Sequence, residues 1–243
     1  MQTSLASLVL ACGLCAAPLA AAQESLTLGT WGTGALISDE LGLFGTPGTE
    51  RIDGLDFTIS LTLDTGPLHG DVRPGYAWFQ YQDGVPAIAS GVATINGQVW
   101  RWNLVDPYAS AWFSREANAV SMSAAGLDRA TGHDVSLNEV LDLEPGSQQV
   151  VVSDDYRDTV LFEGVRNERD ERETYFSSAY LWITGNLACD TCPGGVREGL
   201  TWFVADEPNY ARWTVSAVPE PAHASLLAAG LAVLAGLARR RLR

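Results

Sequence analysis

The chain contains no lysine: its 15 basic residues are all arginine, against 29 Asp and Glu, for a formal net charge of −14. So acidic a protein lacks the positive surface that a phosphate backbone requires, so nucleic acid is not an expected partner. Cysteine is scarce, with 4 in 243 residues, and there are only 3 histidines. No H-x-x-x-H and no second C-x-x-C occurs, so the ligand set of a zinc site is missing and no metal or cofactor is expected. No Gly-x-Ser-x-Gly elbow is present, which removes the usual signature of a serine hydrolase. Helical patterning is almost absent from the interior of the chain, where only Ser136 to Leu143 offers up to two turns. Long apolar runs are confined to the two ends.

From Gln2 to Ala22 no side chain is charged, and Leu8 to Leu14 forms an apolar core. Ala20-Ala21-Ala22 is a small-residue site, with Ala20 and Ala22 at the A-x-A positions and cleavage expected before Gln23. Residues 1–22 therefore read as a secretory signal peptide, although its start carries no Lys or Arg. Cys12, after Val9-Leu10-Ala11, leaves a lipoprotein site as an alternative. At the other end, Ala222 to Ala238 is apolar apart from His223 and Ser225. As a helix it spans about 25 Å, the short end of what a hydrocarbon core of about 30 Å requires. Arg239, Arg240, Arg241 and Arg243 follow, and the positive-inside rule holds them in the cytoplasm. Both ends demand one topology, with residues 23–217 beyond the inner membrane. A one-span anchor that is never processed is the plainer alternative, and a GPI signal fits poorly because it does not end in arginines.

Val218-Pro219-Glu220-Pro221, the Ala/Leu/Gly run 222–238 and the basic end 239–243 together resemble the PEP-CTERM sorting signal of Gram-negative bacteria. The resemblance covers residues 218–243. It implies that Pro219, Glu220 and Pro221 are recognised by the membrane peptidase exosortase and that the tail is removed near them. It further implies Sec export, an inner-membrane-anchored precursor with a periplasmic domain, and passage to the cell surface or to an exopolysaccharide-rich biofilm matrix. More weakly, Leu61-Thr62-Leu63-Asp64-Thr65 and the final Trp213-Thr214-Val215 are similar to strands of other PEP-CTERM precursors. That likeness implies a sandwich of no known activity.

Residues 23–217 are long enough to bury a core without metals. Asp56 to Asp64 alternates polar and apolar with period two, as a half-buried strand does. Val92–Ile95, Asn96-Gly97 and Gln98–Trp102 read as a hairpin on a type I′ turn. Further strand-like runs lie at 76–81, 119–123, 149–152, 159–163, 174–184, 200–205 and 211–218. Strands of this length and spacing predict an all-β domain, an antiparallel β-sandwich with a jelly roll as one form of it. Cys189 and Cys192 sit in turn-rich sequence between two strands and predict a local disulfide in an oxidising compartment. The charged stretch Arg166 to Glu173 predicts a solvated hairpin loop.

The sequence offers little catalytic chemistry. His69 and His133 each lie near an aspartate in a turn, and a triad requires one of them to converge with a serine or carboxylate. Asp154, Asp155 and Asp158 read as a solvated turn, with calcium as the alternative because it takes six to eight oxygen ligands. Carboxylates also cluster at Glu168, Asp170 and Glu171, and at Asp206-Glu207, without a spacing that defines a glycosidase pair. Eight tryptophans stand out. Trp100 and Trp102 share one strand face, and Trp78, Trp112, Trp182, Trp202 and Trp213 lie in other strand-like runs. Core packing is the simpler use of an indole, and stacking on sugars is the other. The expectation is a non-enzymatic envelope or matrix protein. A carbohydrate- or calcium-binding module is the alternative, favoured if Trp100 and Trp102 prove exposed, and a secreted hydrolase comes third.

Overall fold

Strand periodicity runs through nearly the whole domain, and long-range pairing decides what the strands build. The computed structural model describes residues 23–45, 47–66, 68–81, 88–142, 153–163, 176–205 and 210–218. Among these, the strands are β1 (Gln23–Asp39), β2 (Ile52–Asp64), β3 (Leu68–Arg73), β4 (Tyr76–Tyr81), β5 (Ile88–Ile95) and β6 (Gln98–Ser114). They continue with β7 (Ala119–Asp128), β8 (Asp134–Asp142), β9 (Val160–Glu163), β10 (Phe176–Ala188), β11 (Val196–Ala205) and β12 (Tyr210–Val218). Glu24–Ala217 forms one unit; Met1–Gln23 and Val218–Arg243 group apart, and only Gln23 and Val218 of that second unit are described.

The sandwich expectation is corrected: β1, β2, β5, β6, β7, β8, β10 and β11 form a closed eight-stranded antiparallel barrel. Closure lies in β1. Its Ser25–Leu36 stretch pairs with β2, and its end pairs with β11 through Ala35↔Val204 and Asp39↔Thr201, across a bulge between Leu36 and Ser38. Alternation of buried and exposed residues is common to sandwiches and barrels, so the pattern alone did not separate them. The pairing of an early strand with a late one does. Two further strand pairs flank the barrel: β4 takes the edge of β6 beyond the end of β5 and carries β3, while β12 lies beside β1 and carries β9.

Apolar side chains point into the barrel. Phe57, Ile59, Leu61 and Leu63 of β2 alternate inward with Leu26 and Leu28 of β1 and Leu137 and Leu141 of β8. Ser136 to Leu143, read above as a possible pair of helical turns, is instead β8 up to Asp142, because Val135, Leu137, Glu139 and Leu141 are buried with period two. The predicted hairpin is present, with Asn96 at φ 53° and Gly97 at φ 74°, as a type I′ turn demands. Trp100 and Trp102 are 9 % and 2 % exposed and stack at 5.0 Å. The test that would have made them a sugar platform therefore fails. Gly91 makes room for them, since a Cβ there would lie 2.2 Å from the Trp102 indole.

β6 passes straight through Asp106-Pro107, a pair that reads as a turn. Asp106 takes φ 43° and the register to β7 shifts between Val105 and Tyr108, so the proline sits in a bulge that does not need its missing N–H. At the β1–β2 connection, Asp39 accepts the amides of Leu43 and Phe44 at 2.9 Å and the Thr201 hydroxyl at 2.8 Å, which directs Phe44 into the core.

Cys189 and Cys192 form a disulfide in the β10–β11 turn, with Cα atoms 5.4 Å apart. Three backbone bonds, among them Cys189 N–H to Gly195 at 2.9 Å, already hold the same turn. The loop closed is so short that reduction is expected to cost no more than about 2 kcal/mol. Thermal unfolding with and without dithiothreitol should then shift by less than about 8 °C, and a larger loss would show the disulfide holding more than its own turn.

The signal residues Ala20 and Ala22, the motif residues Pro219, Glu220 and Pro221, the run 222–238 and Arg239, Arg240, Arg241 and Arg243 lie outside the described residues. So do the 149–152 run and the loop 166–173. Among the described residues no helix is long and apolar enough to cross a membrane.

Candidate functional site

Strand parity on β4 and β6 places a row of aromatic side chains on the outer surface. Ala77 and Phe79 of β4 and Ala109, Ala111 and Phe113 of β6 point inward and are buried. Their neighbours Tyr76, Trp78, Gln80 and Trp112 therefore face out, and all are half-buried. Trp78 lies directly opposite Trp112, and Gln80 opposite Ser110. At one end Tyr81 and Tyr108 meet with ring centroids 6.4 Å apart, and the Gln80 amide donates to the Tyr108 hydroxyl at 2.9 Å. Tyr108 is 55 % exposed.

Polar side chains border this track on both sides. On β3, His69, Asp71 and Arg73 lie opposite Gln80, Trp78 and Tyr76, and all three are exposed. On β7, Ser121 and Ser123 lie opposite Trp112 and Ser110, and the Ser110 and Ser123 hydroxyls share a hydrogen bond of 2.8 Å. At the other end the track runs into a pocket of about 470 Å³, lined among others by Arg73, Tyr76, Arg115, Glu116 and Asp154. The Arg73 guanidinium lies over the Tyr76 ring at 4.5 Å, and Arg115 pairs with Asp154. Flat apolar rings flanked by hydroxyls, an amide and an ion pair form a surface that stacks on one face of a ligand and hydrogen-bonds at its rim.

The turn predicted to be solvated does bring Asp154, Asp155 and Asp158 together, but each carboxylate is engaged. Asp154 meets Arg115, Asp155 accepts the Arg157 amide at 3.0 Å, and Asp158 accepts the Ser153 hydroxyl at 2.5 Å. Tyr156, in the middle of that turn, is not solvated: it is buried against Phe79. Its hydroxyl donates to Glu24 at 2.5 Å and Arg157 donates to the same carboxylate at 2.6 Å. Burial first, and then the Glu24 carboxylate, push the Tyr156 hydroxyl well above the usual tyrosine range. Among the described residues no group of three or more His, Cys, Asp or Glu gathers as a metal site.

The two histidines lie on different elements. His69 lies on β3, whereas His133, in the β7–β8 turn, packs on Gly185 of β10, where an added Cβ would lie 2.1 Å from its Nδ1. Asp206-Glu207 and the 168–171 carboxylates lie outside the described residues.

A different polar feature, missed in the sequence, is inside the barrel. Glu139 of β8 is fully buried between Met122 of β7 and Ala179 of β10. Neither of its carboxylate oxygens has a hydrogen-bond partner among the described residues, and the same holds for the Thr30 hydroxyl of β1. Burial pushes the Glu139 carboxyl well above the ordinary range, and the Thr30 side chain offsets only part of that. Asp128 is the opposite case. Burial raises its pKa, but bonds from the Thr131 hydroxyl at 2.6 Å and the Asn103 amide at 2.9 Å outweigh that and leave it lowered. The only sequence signal for Glu139 is an acid at an inward position of an alternating strand.

No family model, curated protein or solved structure matches this chain.

Proposed function

We propose that the protein is an exported, non-enzymatic component of the cell envelope or extracellular matrix, sorted through its C-terminal tail. The observation that carries this reading is the tail itself: a Pro-Glu-Pro motif, a membrane-length apolar run and an arginine end in that order. A signal peptide at the other end requires the same topology, and a disulfide in the domain suits an oxidising compartment. In this reading Sec exports the chain, residues 222–238 hold it in the inner membrane, and exosortase cleaves near Pro219–Pro221. β12 runs up to Val218, the first residue of the motif.

A second reading, a glycan-binding module, is favoured by the aromatic track on β4 and β6. It joins the first directly, since a matrix protein that stacks on sugars would be retained by exopolysaccharide.

Mass spectrometry of the C-terminus, on protein recovered from the surface and medium of the native host, tests the sorting reading. The expected terminus lies between Val218 and Ala222. Surface protein with peptides reaching Arg243 would instead make the tail a permanent anchor.

A further inference from the structure

We propose that the track receives a neutral, hydroxyl-rich glycan, with a vicinal diol held in the pocket where Arg115 pairs with Asp154. This rests on the glycan-binding reading and adds the class of sugar.

The length fits a chain and not a single sugar. From Tyr76 to Tyr81 the strand extends about 17 Å, and rings or amides recur on its outer face at Tyr76, Trp78 and Gln80, with Trp112 and Tyr108 beside them. The pocket at its end sets the charge. It holds two guanidiniums, Arg73 and Arg115, and two carboxylates, Glu116 and Asp154, so it has no net attraction for an anion. A paired guanidinium and carboxylate place donors beside acceptors, and two adjacent sugar hydroxyls each donate and accept in the same way. A polymer of uronic acids would instead bring carboxylates against Glu116, Asp154 and the exposed Asp71 of β3. The chain as a whole carries −14, which adds long-range repulsion of a polyanion.

The test is affinity electrophoresis of the full-length protein in detergent through gels containing neutral polymers (dextran, mixed-linkage β-glucan and galactomannan) or the polyanions alginate and polygalacturonate. At least one neutral polymer is expected to retard the protein, to an extent unchanged by added salt, while neither polyanion does. Trp112→Ala should weaken retardation about tenfold, corresponding to one lost ring stack. Trp112→Phe should retain most of it, which separates loss of stacking from loss of folding. Trp182→Ala removes an indole that is 42 % exposed on β10, outside the track, and should change nothing. Retardation by polyanions alone would overturn the neutral-sugar inference and leave the glycan reading standing. Retardation by none of the five polymers would overturn both. Loss in Trp182→Ala with none in Trp112→Ala would move glycan contact to another face and overturn the track.

Discussion

Replacing Glu139 by leucine should stabilise the barrel by about 2–4 kcal/mol at neutral pH and remove a pH dependence of its stability. Leucine is slightly larger than glutamate and wholly apolar, which suits a site between Met122 and Ala179 where the wild-type carboxyl has no hydrogen-bond partner for either oxygen. The sign of the pH effect follows from the raised pKa. Because the folded chain holds the proton more tightly than the unfolded chain, Glu139's contribution is fully present below the unfolded value near 4.5. It is lost as the pH rises from there through the folded-state value, at up to about 1.4 kcal/mol per pH unit. Asp128, with its lowered pKa, works in the acid window: its contribution is present above the unfolded value near 3.8 and lost as the pH falls. Urea unfolding from about pH 4 to about pH 8, with Glu139→Gln as a second variant, separates the two. Glutamine should abolish the extra neutral-pH loss while recovering less stability than leucine, because its amide is still buried. Parallel pH curves for wild type and Glu139→Gln would show that the carboxyl is not held neutral.

Trp213→Ala should cost about 3–5 kcal/mol from the cavity alone. The indole on β12 is fully buried, packs on Phe113 with centroids 5.8 Å apart, and donates its N–H to the Tyr156 carbonyl at 2.8 Å. Truncation removes the packing and leaves that carbonyl without its donor, adding about 1 kcal/mol or more. For a domain of this size the melting temperature should fall by about 10 °C or more. Trp213→Phe keeps most of the packing and loses the hydrogen bond, so it should recover much of the loss but not all. Tyr156 anchors the turn that carries Asp154, so Trp213→Ala should also raise hydrogen exchange at 153–158. Unchanged exchange there would mean that the turn is held by Glu24 and Arg157 alone.

What was legible in the sequence was local. Period-two alternation located β2, strand-like runs located β4 and parts of β7, β11 and β12, and Asn96-Gly97 located a turn, because all of these depend on neighbours along the chain. Barrel closure was not legible, since it depends on Ala35–Asp39 meeting Thr201–Val204, and nothing near either segment encodes the other. β8 was read as short helix because a few residues satisfy two periods at once. The stretch after Trp102 in β6 was hidden by Asp106-Pro107, which only a bulge reconciles with a strand. For the tryptophans the reading divided. Their placement in strands was visible, but which face each one takes follows from register, so Trp100 and Trp102 went inside while Trp78 and Trp112 stayed at the surface. Glu139 was invisible for the same reason.

Closing the barrel leaves few unpaired strand borders. Among the described residues two outer strands are β3, six residues long with exposed His69, Asp71 and Arg73, and the four-residue β9, which covers β12 only from Tyr210 to Trp213. Borders this short, the β3 one also charged, are poor templates for a neighbour's backbone. Copies crowded together in a gel should therefore not join backbone to backbone through β3, and cohesion on that side must pass through side-chain faces or a third molecule held between them.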